Sequence, residues 1–236
     1  MVIALISAGG TSQRIKQDIP KQFIHIENKP LVIYTLEAFQ KHPSIDSILV
    51  VCLDGWHEIL SAYSKQFNIT KLKYIISGGK TGHDSIYNGL RELNKHYKND
   101  DTVIIHDGNR PMISQEILSE GLSTYKKHGS AVAAIPCTEV VFKCLNNNIP
   151  NEEIPRETIM RTQTPHIFNL GKLTWAYNKA SENNTKYPAA CSLLYSLGEK
   201  INFFTGSEKN IKITTIDDID IFKALLNTQD NNYLKR

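Results

Sequence analysis

Five short apolar runs recur along the chain, separated by segments of helical spacing, and this alternation restricts the fold more than any other feature. The runs are VIALIS (2–7), SILVVCL (47–53), LKYIIS (72–77), TVIIHD (102–107) and AVAAIP (131–136). Pro30 suits a first helical position before LVIYTLEAFQKH, where Leu31, Tyr34, Thr35 and Ala38 share one face. SIYNGLRELNKHY (85–97) places Ile86, Leu90, Leu93 and Tyr97 along one stripe. A third helix begins after Ser114, a fitting N-cap, and stops at Gly129. Strands alternating with helices of this length imply βαβ units and a mostly parallel sheet. The runs are almost continuously apolar, as strands are when both sheet faces are covered. The expected fold is a three-layer, Rossmann-like α/β arrangement.

At 236 residues the chain can bury one good core, forming a single domain (1–236) with an appendage. Hydrophobic residues make up 41% and charged residues 22%, the balance of an ordinary globular protein. A net charge of +3 gives no reason to expect a nucleic-acid or membrane surface. The apolar stretch Val2 to Ile6 is too short for a signal peptide or a membrane span, so a cytoplasmic location is expected. Cys52, Cys137, Cys144 and Cys191 form no CxxC pair, which favours reduced thiols over a zinc site or disulfide framework.

The alternation breaks at residues 137–165, CTEVVFKCLNNNIPNEEIPRETIMRTQTP, which carry an Asn-rich turn at 146–148 and no helical period. A structureless loop of that length is unusual inside a domain, so the segment is read as a β-hairpin arm. Val140, Val141, Phe142 and Ile159 cannot be buried by such an arm alone, which invites a partner subunit. Helices near 170–182 and 190–197 and a strand INFFTG (201–206) follow. The last helix begins at a capping-box-like Thr215 and Asp218.

Ligands collect at the carboxyl ends of parallel strands, and three segments there carry unusual residues. SAGGTSQR follows the first strand, and its small residues let backbone N–H groups approach an anion. It is neither a GxGxxG fingerprint, because Ser12 holds the place of the middle glycine, nor a Walker A loop. Taken alone it reads equally as a tight turn, with Arg14 and Lys21 as solvated charges. HDGNRP (106–111) presents Asp107 at a strand end, either to Mg²⁺ or simply as a turn cap. In NIKITT (210–215), Lys212 alternates with apolar neighbours, and on an edge strand it would face solvent.

Together these segments have the charge and order needed for a nucleoside triphosphate with Mg²⁺. The stretches AGGTSQRI…PKQF, SGGKTGHDSIYNGL, HDGNRP, RTQTPHIF and NIKITTIDDI span residues 3 to about 226. In this order they resemble the cytidylyltransferases that make CDP-linked polyols. Two branches are similar, 2-C-methyl-D-erythritol 4-phosphate cytidylyltransferase and ribitol-5-phosphate cytidylyltransferase. The AGGT spacing, Trp56 at the second helix and RTQTPHIF look more like the ribitol branch.

The resemblance implies a nucleotidyltransferase, GT-A-like fold and the reaction of CTP with a polyol phosphate to give a CDP-polyol and pyrophosphate. It implies that Arg14 and Lys21 hold the triphosphate, that Lys212 contacts the reacting phosphates and that Asp107 holds Mg²⁺. Ala8, Gly9, Gly10, Thr11, Ser12, Gly78, Gly79 and Ser85 resemble the nucleotide-cradling positions. It further implies a homodimer through the 137–165 arm, with Arg156 reaching the partner's substrate phosphate and Arg161 a solvated neighbour. Four departures fall on the acceptor side. Gly82 and then His83 stand where the family usually carries Arg, and Val140 stands for a common Thr. YPAACS (187–192), with Ala189, replaces an acidic pair. Asn109 is added in HDGNRP, where it could bond either ligand.

Two other classes fit the residues less well. A glycosyltransferase would want Asp-x-Asp after a central strand, but DDTV precedes its strand and IDDID opens a helix. A non-catalytic nucleotide-binding homologue is opposed by the retained Arg14, Lys21, Asp107 and Lys212.

Overall fold

The computed structural model describes residues 1–10, 19–146 and 149–230. Its main sheet has seven strands: β1 (Val2–Ala8), β4 (Ser47–Cys52), β5 (Leu72–Ser77), β6 (Thr102–Asp107), β7 (Ala131–Pro136), β10 (Met160–Asn169) and β11 (Phe203–Thr205). Their spatial order is β11-β7-β10-β6-β1-β4-β5. β1 pairs in parallel with β4 and β6, β5 with β4, and β11 with β7. β10 runs antiparallel to both β6 and β7, so the mostly parallel sheet expected from the sequence is present with one reversed strand. A short ribbon of β2 (His25–Ile26) and β3 (Lys29–Pro30) precedes the first helix.

The strand period of two sorts side chains into two layers. On one face Ala4, Ile6, Ile48, Val50 and Ile104 pack against α1 (Leu31–Lys41), α2 (His57–Gln66) and α4 (Gln115–His128). On the other, Ile3, Leu5, Leu49, Val51, Val103 and Ile105 pack against α3 (Gly82–Leu93), α5 (Leu170–Glu182) and α6 (Ala190–Ser196). The inner parallel strands β1, β4 and β6 are therefore sealed on both sides, which explains their unbroken apolar sequence, whereas the edge strands β5 and β11 are partly exposed. The helix α4 begins and ends as its sequence requires. Ser114 accepts a hydrogen bond from the Ile117 N–H, and Gly129 closes the helix at φ 76°.

Several boundaries differ from the sequence reading. The core face of α1 is Val32, Ile33, Leu36 and Phe39, whereas Tyr34 turns to meet Phe222 of α7 (Ile216–Asp230) edge-on at 5.2 Å. The helix α3 starts three residues earlier than expected because Thr81 and Asp84 form a capping box. The arm is shorter than 137–165. Its hairpin is β8 (Val141–Asn146) with β9 (Ile149–Ile154), and residues from Met160 onward join the main sheet as β10. The strand expected at 201–206 narrows to Phe203–Thr205, and NIKITT lies outside the sheet rather than forming an edge strand. Val140, Phe142, Leu145 and Ile149 of the arm are exposed.

Candidate active site

The carboxyl ends of β1, β5 and β6 carry segments singled out in the sequence, and they build two walls of one site. On the first wall, Ala8, Gly9 and Gly10 leave β1 beside Gly78 and Gly79, which leave β5. A Cβ added to Gly9 would lie 3.4 Å from the Gly78 Cα, so these two backbones pass nearly in contact. Gly79 is more tightly confined, because a Cβ there would meet the Asp84 Cβ at 2.4 Å. The Ser85 hydroxyl accepts from the Gly79 N–H at 3.0 Å and donates to the Thr81 carbonyl at 2.9 Å. Ser85 therefore fastens the glycine turn to the first turn of α3.

Gln22, in PKQF, is a residue the sequence reading passed over. It is buried, and its Nε2 donates to the carbonyls of Ala8 at 2.8 Å and Gly10 at 3.1 Å. This clasp holds the exit of β1 against the short 3-10 turn Lys21–Phe23. Phe23 then stacks on Trp56 at 4.5 Å, anchoring that turn to the start of α2. Thr11, Ser12 and Arg14 lie outside the described residues.

The second wall is charged. Asp107 ends β6, with one carboxylate oxygen 3.0 Å from Arg110 Nε and the other 3.1 Å from Lys212 Nζ. Burial pushes the Asp107 carboxyl up, but Lys212 and then Arg110 outweigh it and hold it well below the usual carboxylate range. One anion against two cations leaves an excess positive charge, which suits a phosphate-bearing ligand. Arg110 was present in the quoted motif yet was assigned no role. Its position three residues after Asp107 lets its side chain fold back onto that carboxylate.

Lys212 is held in place by amides. The Asn109 side chain donates to the Ile213 carbonyl, while the Ile213 N–H donates to the Asn109 carbonyl at 2.9 Å. Asn210 is fully buried and donates to the Thr164 carbonyl at 2.9 Å, and its own carbonyl accepts from Arg110 Nη1 at 2.7 Å. The Asn109 Nδ2 is thus committed to the chain, and the residue supports Lys212 from behind.

Between this charged wall and helices α3, α5 and α6 lies a cavity of about 300 Å³. Asp107, Arg110 and Lys212 are its charged lining residues, and Gly82, His83 and Ala189 line it at the helix starts. Two of the departures expected to affect the acceptor therefore do border one space. Val140 does not. It stands 62% exposed on the arm, and Arg156 is also exposed there, donating to the Thr138 carbonyl at 3.0 Å. Two histidines brace the charged wall from below. His106 is sealed in the core and His166 nearly so, and burial lowers each to about 4.

Among the described residues no group of three or more His, Cys, Asp or Glu could enclose a metal ion. Mg²⁺ does not need such a cage, because it commonly takes one or two carboxylates and completes its shell from phosphates and water. A lone, strongly acidic Asp107 at a strand end fits that donor set. No described helix is long and apolar enough to cross a membrane.

Residues 2–228 match the family model for 2-C-methyl-D-erythritol 4-phosphate cytidylyltransferase, IspD. The chain is 37% identical to ribitol-5-phosphate cytidylyltransferase of Lacticaseibacillus paracasei over 98% of this chain and 100% of that one. It is 32% identical to 2-C-methyl-D-erythritol 4-phosphate cytidylyltransferase of Clostridium botulinum, covering 94% of this chain and 96% of that one. The fold is similar to that of 4-diphosphocytidyl-2C-methyl-D-erythritol synthase from Anaerococcus prevotii, with a TM-score of 0.82 at 23% identity over 96% of each chain. With motifs, fold and near full-length similarity in agreement, the chain belongs to the IspD family of cytidylyltransferases, a class of nucleotidyltransferase enzymes.

Proposed function

We propose that the enzyme transfers CMP from CTP to D-ribitol 5-phosphate, releasing CDP-ribitol and pyrophosphate. The observation that carries the acceptor is the 37% identity to a ribitol-5-phosphate cytidylyltransferase across both full chains, against 32% for a methylerythritol-phosphate relative. The cavity beside Asp107 supports it. Thr162 and Thr164 are among its lining residues, and such hydroxyl groups suit a linear polyol.

In this reading an acceptor phosphate oxygen attacks the α-phosphorus of CTP. A new P–O bond forms, and the bond to the β,γ-pyrophosphate breaks. Both reactants are polyanions, so catalysis consists of positioning and charge neutralisation. Arg14 and Lys21 hold the triphosphate against the glycine wall, where Ala8 to Gly10 and Gly78 to Gly79 leave room for the nucleotide. Lys212 exchanges its Asp107 contact for a reacting phosphate, and Arg110 holds the acceptor's charge. Asp107 would hold Mg²⁺, which when bound draws negative charge from the phosphates and the leaving pyrophosphate. The exposed apolar arm supports a homodimer, with Arg156 extending to the partner's acceptor phosphate.

The test is pyrophosphate release from CTP with each of several polyol phosphates, with Mg²⁺ and with a chelator. The reading expects release that requires D-ribitol 5-phosphate and is lost with the chelator. Release with 2-C-methyl-D-erythritol 4-phosphate alone would replace the acceptor. CTP binding without release for any acceptor would favour a non-catalytic homologue.

A further inference from the structure

The cavity is polar at both ends but charged at only one. Its charged lining residues, Asp107, Arg110 and Lys212, lie together at the carboxyl end of β6 and along the segment clasped by Asn109. The uncharged end of the lining comes from the start of α3 and the residues leading into α6, Gly82, His83, Tyr187 and Ala189, with His83 against Tyr177. Gly82 has open space around its α-carbon, so the room that a longer side chain would occupy is free for ligand. Lys186 lies nearby but is bound to Asp84 at 2.8 Å, which cancels its charge locally.

His83 is fixed in this uncharged end. Its ring stacks on Tyr177 with centroids 4.6 Å apart and planes 25° from parallel. Its Nδ1 accepts the Tyr187 backbone N–H at 3.4 Å. A neutral imidazole that accepts at Nδ1 carries its proton on Nε2. Burial keeps the ring neutral by lowering its pKa, although Asp84 pulls the other way. Among the described residues Nε2 has no partner, so a rigid ring that borders the cavity retains one donor unused.

With the acceptor phosphate drawn to Arg110 and Lys212, the rest of the acceptor must run toward His83. We propose that His83 is a specificity-determining residue, its Nε2–H donating to the acceptor hydroxyl farthest from the phosphate. This rests on the polyol-phosphate reading above. It adds that the enzyme selects for a hydroxylated, uncharged tail and discriminates against one lacking that hydroxyl. A site built to bond a hydroxyl leaves its own donor unpaired when the hydroxyl is missing.

The experiment compares kcat/KM for D-ribitol 5-phosphate and its 1-deoxy analogue in the wild type, His83→Phe and His83→Gln. Phe keeps a ring to stack on Tyr177 but has no donor, and Gln restores an N–H. The wild type should prefer the hydroxylated acceptor by about tenfold. His83→Phe should abolish that preference with the KM for CTP unchanged, and His83→Gln should recover part of it. An undiminished preference in His83→Phe, or an equal loss on both acceptors, would overturn the proposal. If the wild type uses 2-C-methyl-D-erythritol 4-phosphate but not D-ribitol 5-phosphate, the acceptor reading fails separately. The same variants tested on that acceptor and its 1-deoxy analogue then decide the role of His83.

Discussion

The two walls of the site are built by opposite means. The glycine wall works by subtraction, since Gly9 and Gly78 pass at van der Waals distance and Gly79 admits no Cβ beside Asp84. The charged wall works by addition, with Asp107 shared between Arg110 and Lys212 and a cavity beyond them. In the proposed reading, the wall made of backbone recognises what every nucleotide presents. Side chains that line a cavity can be rewritten residue by residue, and Gly82, His83 and Ala189 border the cavity beyond the charged wall.

The sharpest way to break this comparison is to remove charge from each wall. Lys21→Ala, next in sequence to the Gln22 that clasps the glycine wall, should leave the fold intact and lower kcat by about 10²–10³, as losing one preorganised contact to developing charge does. Asp107→Asn should lower turnover by a similar factor and raise the Mg²⁺ concentration needed for half-maximal rate. Unchanged rates, read with folding monitored by circular dichroism, would remove either residue from the machinery.

A second contrast lies within the glycine wall. Gly79→Ala should cost about 1–3 kcal/mol of stability, because its methyl collides with Asp84 and disturbs the capping box. Gly9→Ala meets only ordinary contact distances and should change denaturant midpoints little. Equal effects from the two would contradict the packing described here.

On the charged wall, Asn109→Ala leaves the Ile213 carbonyl without its side-chain donor. It should cost about 1–3 kcal/mol of stability and raise the KM for the acceptor more than that for CTP. Steady-state kinetics with each substrate varied in turn separates the two.

A further test is the pH dependence of stability. His106 and His166 fall from 6.5 unfolded to about 4 folded, so the unfolded chain binds more protons between those values. Stability is therefore full above about pH 6.5 and falls as the pH drops toward 4, by up to about 1.4 kcal/mol per pH unit for each histidine. Urea midpoints across that range should flatten when either histidine is replaced by Gln.

Much of this was legible in the sequence where local chemistry and burial agree. TVIIHD and AVAAIP became strands at the stated residues because both faces of each are covered, and Ser114 and Gly129 bounded α4 because caps act locally. The arm was overextended because RTQTP has no local signal that it joins the central sheet, where antiparallel pairing with β6 and β7 decides its place. NIKITT imitated a strand because its alternation comes from packing Ile213 into the core, with Asn109 rather than a neighbouring strand holding its backbone. Gln22 and Asn210 went unseen for a related reason. A side-chain amide that binds distant carbonyls leaves no periodic trace, and only the folded chain brings its partners together.

The central proposal is that the cavity beyond the charged wall, and not the glycine wall, sets what the enzyme acts on, and that its acceptor is a linear pentitol phosphate. A competition assay tests this most directly. CTP, Mg²⁺ and equal concentrations of D-ribitol 5-phosphate and 2-C-methyl-D-erythritol 4-phosphate are mixed with the enzyme, and the CDP-linked products are quantified by phosphorus NMR. The account predicts CDP-ribitol as the dominant product, formed one for one with pyrophosphate. Dominant CDP-methylerythritol, or product in equal amounts from both acceptors, would contradict it.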